Sequence, residues 1–177
     1  MDILKPVRLH SLKTAASLLF KDFKNNAGRG IIAAERLCQV PDFKQRSAEW
    51  LMAHASQVQR KHAYTAIAIE HGYANWPDLK RTVVDNDCLY RSSGVAYIHA
   101  WFRDYEAAKQ YQDRHQGYLL AFWKDFVVCG KEYIDHIGLG AYEAYWKRIG
   151  YNWVQPSDKT AWTLLHAQAT AIYQSQK

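Results

Sequence analysis

Gly117-Tyr-Leu-Leu-Ala-Phe-Trp-Lys-Asp-Phe-Val-Val-Cys-Gly130 holds two apolar runs, rich in β-branched and aromatic residues, joined across Lys124-Asp125 and closed by glycine at both ends. Such residues fit a pleated, half-buried surface, so the stretch reads as a β-hairpin with strands over residues 118–123 and 126–129. Its turn lacks the Asn-Gly or Asp-Gly that a two-residue loop prefers, which leaves a four-residue loop or a one-residue shift in register open. Tyr118, Leu120 and Phe122 face one way; Leu119, Ala121 and Trp123 face the other. Both faces are apolar, so the small sheet must be covered on both sides.

The sequence around the hairpin supplies the cover. Helical patterns over residues 131–137, 142–149 and 157–173 follow it, and Asp104 is placed to cap a helix over residues 105–115 just before it. Residues 95–102, short and β-branched or aromatic, read as a further strand. Upstream, residues 86–94 concentrate Asp, Asn, Ser and Gly with little periodicity and read as a linker. The first half is helical throughout. Ser11, Ser47, Ser56 and Asn75 are the expected N-caps, Gly72 the expected left-handed stop, and Leu79, Val83 and Val84 an inward face. The fold class is therefore α+β: an all-helical domain over residues 1–86, then a domain over residues 92–177 in which helices cover a small, mostly antiparallel sheet containing the hairpin at 118–129.

Seven tryptophans and twelve tyrosines in 177 residues are many; most are expected in the core, and half-exposed tyrosines suit an interaction surface as well as a domain seam. Trp50, Trp76 and Trp101 are expected inside. His71-Gly-Tyr-Ala-Asn-Trp-Pro-Asp and Ile149-Gly-Tyr-Asn-Trp-Val-Gln-Pro-Ser-Asp echo each other after a helix, as one type of helix exit used twice. No apolar run reaches the roughly 20 residues of a membrane helix and no signal-peptide pattern opens the chain, so the expected location is the cytoplasm and no membrane contact is expected.

Ala63, Ala66, Ile67, Ala68, Glu70, His71, Gly72, Tyr73, Asn75, Trp76, Leu79 and Lys80 form a pattern that resembles a short helical module of bacterial glyoxalase-superfamily-related proteins, found also at the front of some bacterial ankyrin-repeat proteins. The resemblance spans residues 56–84 and implies a helical module. It assigns no active-site residue, and no repeated βαβββ unit or metal-ligand pattern accompanies it.

Signs of chemistry are sparse. Eight histidines include no HExxH or His-x-His spacing, and Cys38, Cys88 and Cys129 lie far apart, so neither a metal nor a cofactor is expected. Cys129 ends a strand where a helix begins, a setting that lowers a thiol pKa, and His99 or His115 is the candidate base. The net charge of +6 is concentrated up to Asp85, where 13 Lys and Arg stand against 8 Asp and Glu. Arg60, Lys61, Lys80 and Arg81 are the candidate binding residues in that half. A DNA-reading helix–turn–helix overlay fails at Asp78, where an aliphatic residue is required.

The leading expectation is a non-enzymatic interaction module with a protein partner. A nucleic-acid-binding regulator using the basic half is the first alternative, and an enzyme with a Cys/His site the second. The leading expectation predicts weak nucleic-acid binding at physiological salt. Tight binding that falls with a slope of about −0.9 per phosphate contacted on a log–log salt plot, and that is lost when Arg60, Lys61, Lys80 and Arg81 become Ala, would contradict it.

Overall fold

The computed structural model describes residues 6–25 and 28–175. The chain divides into two compact units, residues 1–83 and 84–177, with one helix running through the division.

The first unit is built from α1 (Leu9–Asn25), α2 (Gly30–Leu37), α3 (Ala48–Ala53), α4 (Arg60–Glu70) and the start of α5 (Trp76–Asp87). Its helix ends follow local rules with two departures. Ser47 accepts from Trp50 N at 3.1 Å and Asn75 Oδ1 from Asp78 N at 3.0 Å, as the cap positions predict. Ser11, however, lies inside α1, whose core face is Leu9, Leu12, Ala16, Leu19 and Phe23, while Leu18 points outward. Ser56 sits in a 3₁₀ turn, and α4 is opened instead by a reciprocal pair: the Gln59 side chain accepts from His62 N, and His62 Nδ1 accepts from Gln59 N at 3.0 Å. A capping box satisfies two orphan donors at once, which outcompetes a lone serine. Because Nδ1 accepts, the proton of the buried His62 ring is on Nε2, 3.2 Å from Asp42. Burial holds this imidazole's pKa below its ordinary value.

Gly72 has φ of +83°, with Gly72 N donating to Ile69 O and Tyr73 N to Ala68 O. Those are the two bonds of a Schellman stop. Gly150, at φ +69°, repeats them, with Gly150 N on Lys147 O and Tyr151 N on Trp146 O. The sequence echo is one helix exit used twice.

The second unit contains β1 (Ile98–Phe102), α6 (Tyr105–His115), β2 (Tyr118–Phe122), β3 (Asp125–Cys129), α7 (Lys131–His136), α8 (Glu143–Arg148) and α9 (Lys159–Ser175). The sheet is antiparallel in the order β1-β3-β2. On one face Leu119 and Val128 meet Ala108 of α6; on the other Tyr118, Leu120, Phe122, Val127 and Cys129 join Tyr133, Ile134, Trp146 and Leu165 of α7, α8 and α9. Each fully buried aliphatic contributes about 1.5–3 kcal/mol, so a strand apolar on both faces stabilises both layers. Asp104 caps α6 through Ala107 N at 2.8 Å, and Asp158 caps α9 through Ala161 N at 2.9 Å.

Four expectations are corrected here. The hairpin loop is Trp123-Lys124, one residue earlier than expected, with Phe122 paired to Asp125 and φ of +57° at Trp123. Residues 86–94 are no linker, since Asp87, Cys88, Leu89 and Gly94 are buried in the second unit. Only residues 98–102 of the expected strand 95–102 are extended, residues 92–97 forming a 3₁₀ segment. Trp101 is 45% exposed, and Trp50 and Trp76 are half-buried; the fully buried tryptophan is Trp146.

Gly117 has φ of +107°, and a Cβ there would lie 2.7 Å from the Cys129 carbonyl oxygen, whereas a Cβ on Gly72 would meet nothing within 4 Å. Gly117→Ala is expected to destabilise by about 2–4 kcal/mol in urea unfolding, against about 1 kcal/mol for Gly72→Ala. Equal costs would contradict this packing.

Candidate functional site

Where α6 and α8 end, the second unit forms a cleft of about 450 Å³. The last turn of α6 contributes Gln112 and Asp113, the turn after it Gln116 and Gly117, the start of β2 Tyr118, and α8 Glu143, with Gly150 and Tyr151 at its exit. Four of these residues hold positive φ: Gln116 at 61°, Gly117 at 107°, Gly150 at 69° and Tyr151 at 55°. For Gln116 and Tyr151 that conformation costs roughly 1–2 kcal/mol each. It persists because the surroundings fix it: Gln116 N donates to Gln112 O, Leu119 N donates to Tyr151 O, and Gln112 Nε2 donates to both Gly117 O at 3.1 Å and Tyr151 O at 2.9 Å. Strain of this kind clusters at ligand sites.

Glu143 is the polar centre. Tyr118 donates to Oε2 at 2.7 Å and Tyr151 to Oε1 at 2.9 Å, so each carboxylate oxygen holds one phenol proton. Glu143 also opens α8, where a negative charge meets the positive end of the helix dipole. Burial first, then the bond to Glu143, raises the Tyr118 pKa well above that of a free phenol; the Tyr151 pKa is raised mainly by its bond to the same carboxylate. Neither phenol is prepared to act as a base at neutral pH.

Cys129 is wholly buried, its Sγ is 3.6 Å from Tyr118 O, and burial pushes its pKa up, opposite to what a nucleophile requires. The fold gives the thiol to the core rather than to the α7 N-terminus. His99 is exposed on β1, and His115 packs on Tyr111 at the end of α6, with ring centroids 4.3 Å apart. No hydrogen bond joins these three among the described residues. Arg60 and Lys61 are exposed at the start of α4. Lys80 and Arg81 lie on α5, where Arg81 is paired with Asp78. The Tyr64 and Trp76 rings, 4.6 Å apart, bring the start of α5 beside the first turns of α4. Among the described residues there is no group of three or more His, Cys, Asp or Glu able to hold a metal, and no helix is long and apolar enough to cross a membrane.

Gln112, Asp113, Gln116 and Glu143 carry no mark of a site in the sequence. The repeated Gly-Tyr exit pointed to Gly150 and Tyr151, but nothing in the sequence shows that Glu143 comes to meet Tyr118. Comparison with protein-family models, curated proteins and solved structures finds no significant match.

Folding raises the pKa of Tyr118, Tyr151 and the core Tyr133 above the usual 10. The stability tied to these neutral phenols is fully present below pH 10 and is lost as the pH rises beyond it through the folded values. A spectrophotometric titration should show a late phase, above the usual 10, that includes these three, with Tyr151 returning toward the ordinary range in Glu143→Gln. A single step for all twelve would contradict the arrangement.

Proposed function

We propose that the chain is a non-enzymatic interaction module and that it takes an extended segment of a protein partner along β1. The carrying observation is that the two sheet edges are treated differently. The outer edge of β2 is occupied: Leu119 N donates to Tyr151 O and Trp153 N to Leu119 O, both at 2.9 Å. The outer edge of β1 has no backbone partner among the described residues, and an unpaired edge is a template for strand addition.

The side chains on β1 suit that use. Ile98 pairs with Cys129 but Ala100 with Val128, so His99 is the extra residue of a β-bulge. A bulge exchanges the faces of everything after it. Trp101 is thereby turned onto the same face as Phe122, their rings edge to face at 5.6 Å, with nearly half of the indole in solvent. Tyr97 and Val95 just before the strand are also exposed. Tryptophan is among the residues that dominate binding energy when a partner completes its burial. The basic residues Arg60, Lys61, Lys80 and Arg81 support the nucleic-acid alternative less well, because the Arg81 charge is already paired.

Retention of a protein partner from lysate should survive nuclease, fall about thirtyfold in Trp101→Ala and slow amide exchange along β1. Retention unchanged by Trp101→Ala, or abolished by nuclease, would contradict the proposal.

A further inference from the structure

Among the described residues His62 is the one buried histidine, 6% exposed, and it holds a position that a protonated ring cannot keep. Its Nδ1 accepts from Gln59 N and the Gln59 side chain accepts from His62 N, so this pair of bonds is the cap of α4. On the other side of the ring Nε2 faces Asp42, and Phe43 meets it edge to face with ring centroids 4.7 Å apart. A proton taken up by the neutral ring must go to Nδ1, where it sets an N–H against the N–H of Gln59. It also leaves a cation in a buried slot, which is costly away from water. The charged groups that act on the ring are few: Asp42 from the 3₁₀ turn Pro41–Phe43 and Lys61 from α4 itself. Of α1 and α2, which also pack on α4, Lys24 donates to Ala55 O, and Arg36 pairs with Glu70 at the far end of α4, where Asp22 also acts on it.

We infer that His62 is an acid-sensitive latch on the start of α4: uptake of a proton at Nδ1 breaks the capping box, and the charged ring turns outward with Asp42, whose side chain is 60% exposed. Arg60 and Lys61, the first two residues of α4, lose their helical placement with the cap. Burial is the largest influence on the ring and lowers its pKa; Lys61 lowers it further, Asp42 raises it, and the net shift is downward. The sign follows from that direction. A histidine whose folded pKa is depressed contributes stability that is present above its ordinary value and is lost as the pH falls through the folded one. The latch is therefore closed at neutral pH and opens in acid. The inference does not rest on strand addition at β1.

NMR of the full chain against pH, following the His62 ring together with exchange protection at the Gln59 and His62 amides, tests the latch. The ring is expected to titrate below the ordinary value of about 6.5. Protection at both amides, corrected for intrinsic exchange, should fall roughly tenfold as the pH passes through that same midpoint. Glutamine completes a capping box from this position and does not titrate, so in His62→Gln protection should hold over the same range. Asp42→Asn, at an exposed position, removes the charge that favours the protonated ring; it should move the ring midpoint and the loss of protection down together, and it serves if His62→Gln does not fold. A ring that titrates at or above about 6.5, protection that holds while the ring titrates, or an equal fall in His62→Gln would overturn the inference.

Discussion

The buried carboxylate of Asp87 is the interaction on which the second unit depends. It sits in the last residue of α5 with no exposed surface and accepts from Trp123 Nε1 at 3.1 Å and from Tyr173 of α9 at 2.5 Å. A carboxylate removed from water is costly unless donors surround it. Here the donors come from the hairpin loop and from the last helix, so one side chain ties three distant parts of the chain together. The bond also accounts for the loop. Trp123 occupies the first central position of a two-residue hairpin turn with positive φ, a place normally filled by glycine. The indole bond to Asp87, together with Trp123 N on Asn86 O, holds that residue where its backbone would not otherwise stay.

With the loop fixed, the register of the hairpin is fixed, and from it follow both surfaces of interest. Leu119 and Val128 face α6, while Leu120, Val127 and Cys129 face the other helices, so a one-residue slip would exchange the two cores. β2 then presents its outer edge to the 151–153 segment that leaves α8, and this same segment completes the cleft beside Glu143. β1 lies at the opposite side of β3 with its outer edge open, its alternation reset by the bulge at His99.

Local chemistry made much of this readable. Ser47, Asn75 and Asp104 cap because a short polar side chain precedes an apolar periodicity, and Gly72 and Gly150 stop helices because the chain must turn left-handed there. The α+β class followed from one stretch whose apolar runs are too short and too β-branched for a helix. What could not be read is what depends on distant partners. Residues 86–94 look like a linker because Asp87 is polar, and only the fold supplies its donors. Ser56 looks like a cap because the Gln59–His62 reciprocal pair is not apparent from propensity. Trp101 looks like core because neither the bulge at His99 nor its place on an edge strand, where it is left half exposed, has a sequence mark. Cys129 looks reactive because helix starts lower thiol pKa values, and only its burial reverses the sign. The cleft joins residues 25 or more positions apart, such as Tyr118 and Glu143, and is visible only in three dimensions.

The claim that Asp87 organises the second unit is tested most directly by hydrogen exchange on Asp87→Asn, which keeps the side-chain volume and removes the charge. The account predicts that amide protection falls together across the hairpin and along α9, the two elements whose donors meet at that carboxylate. Protection unchanged at both the Trp123 loop and the Tyr173 end of α9 would contradict it.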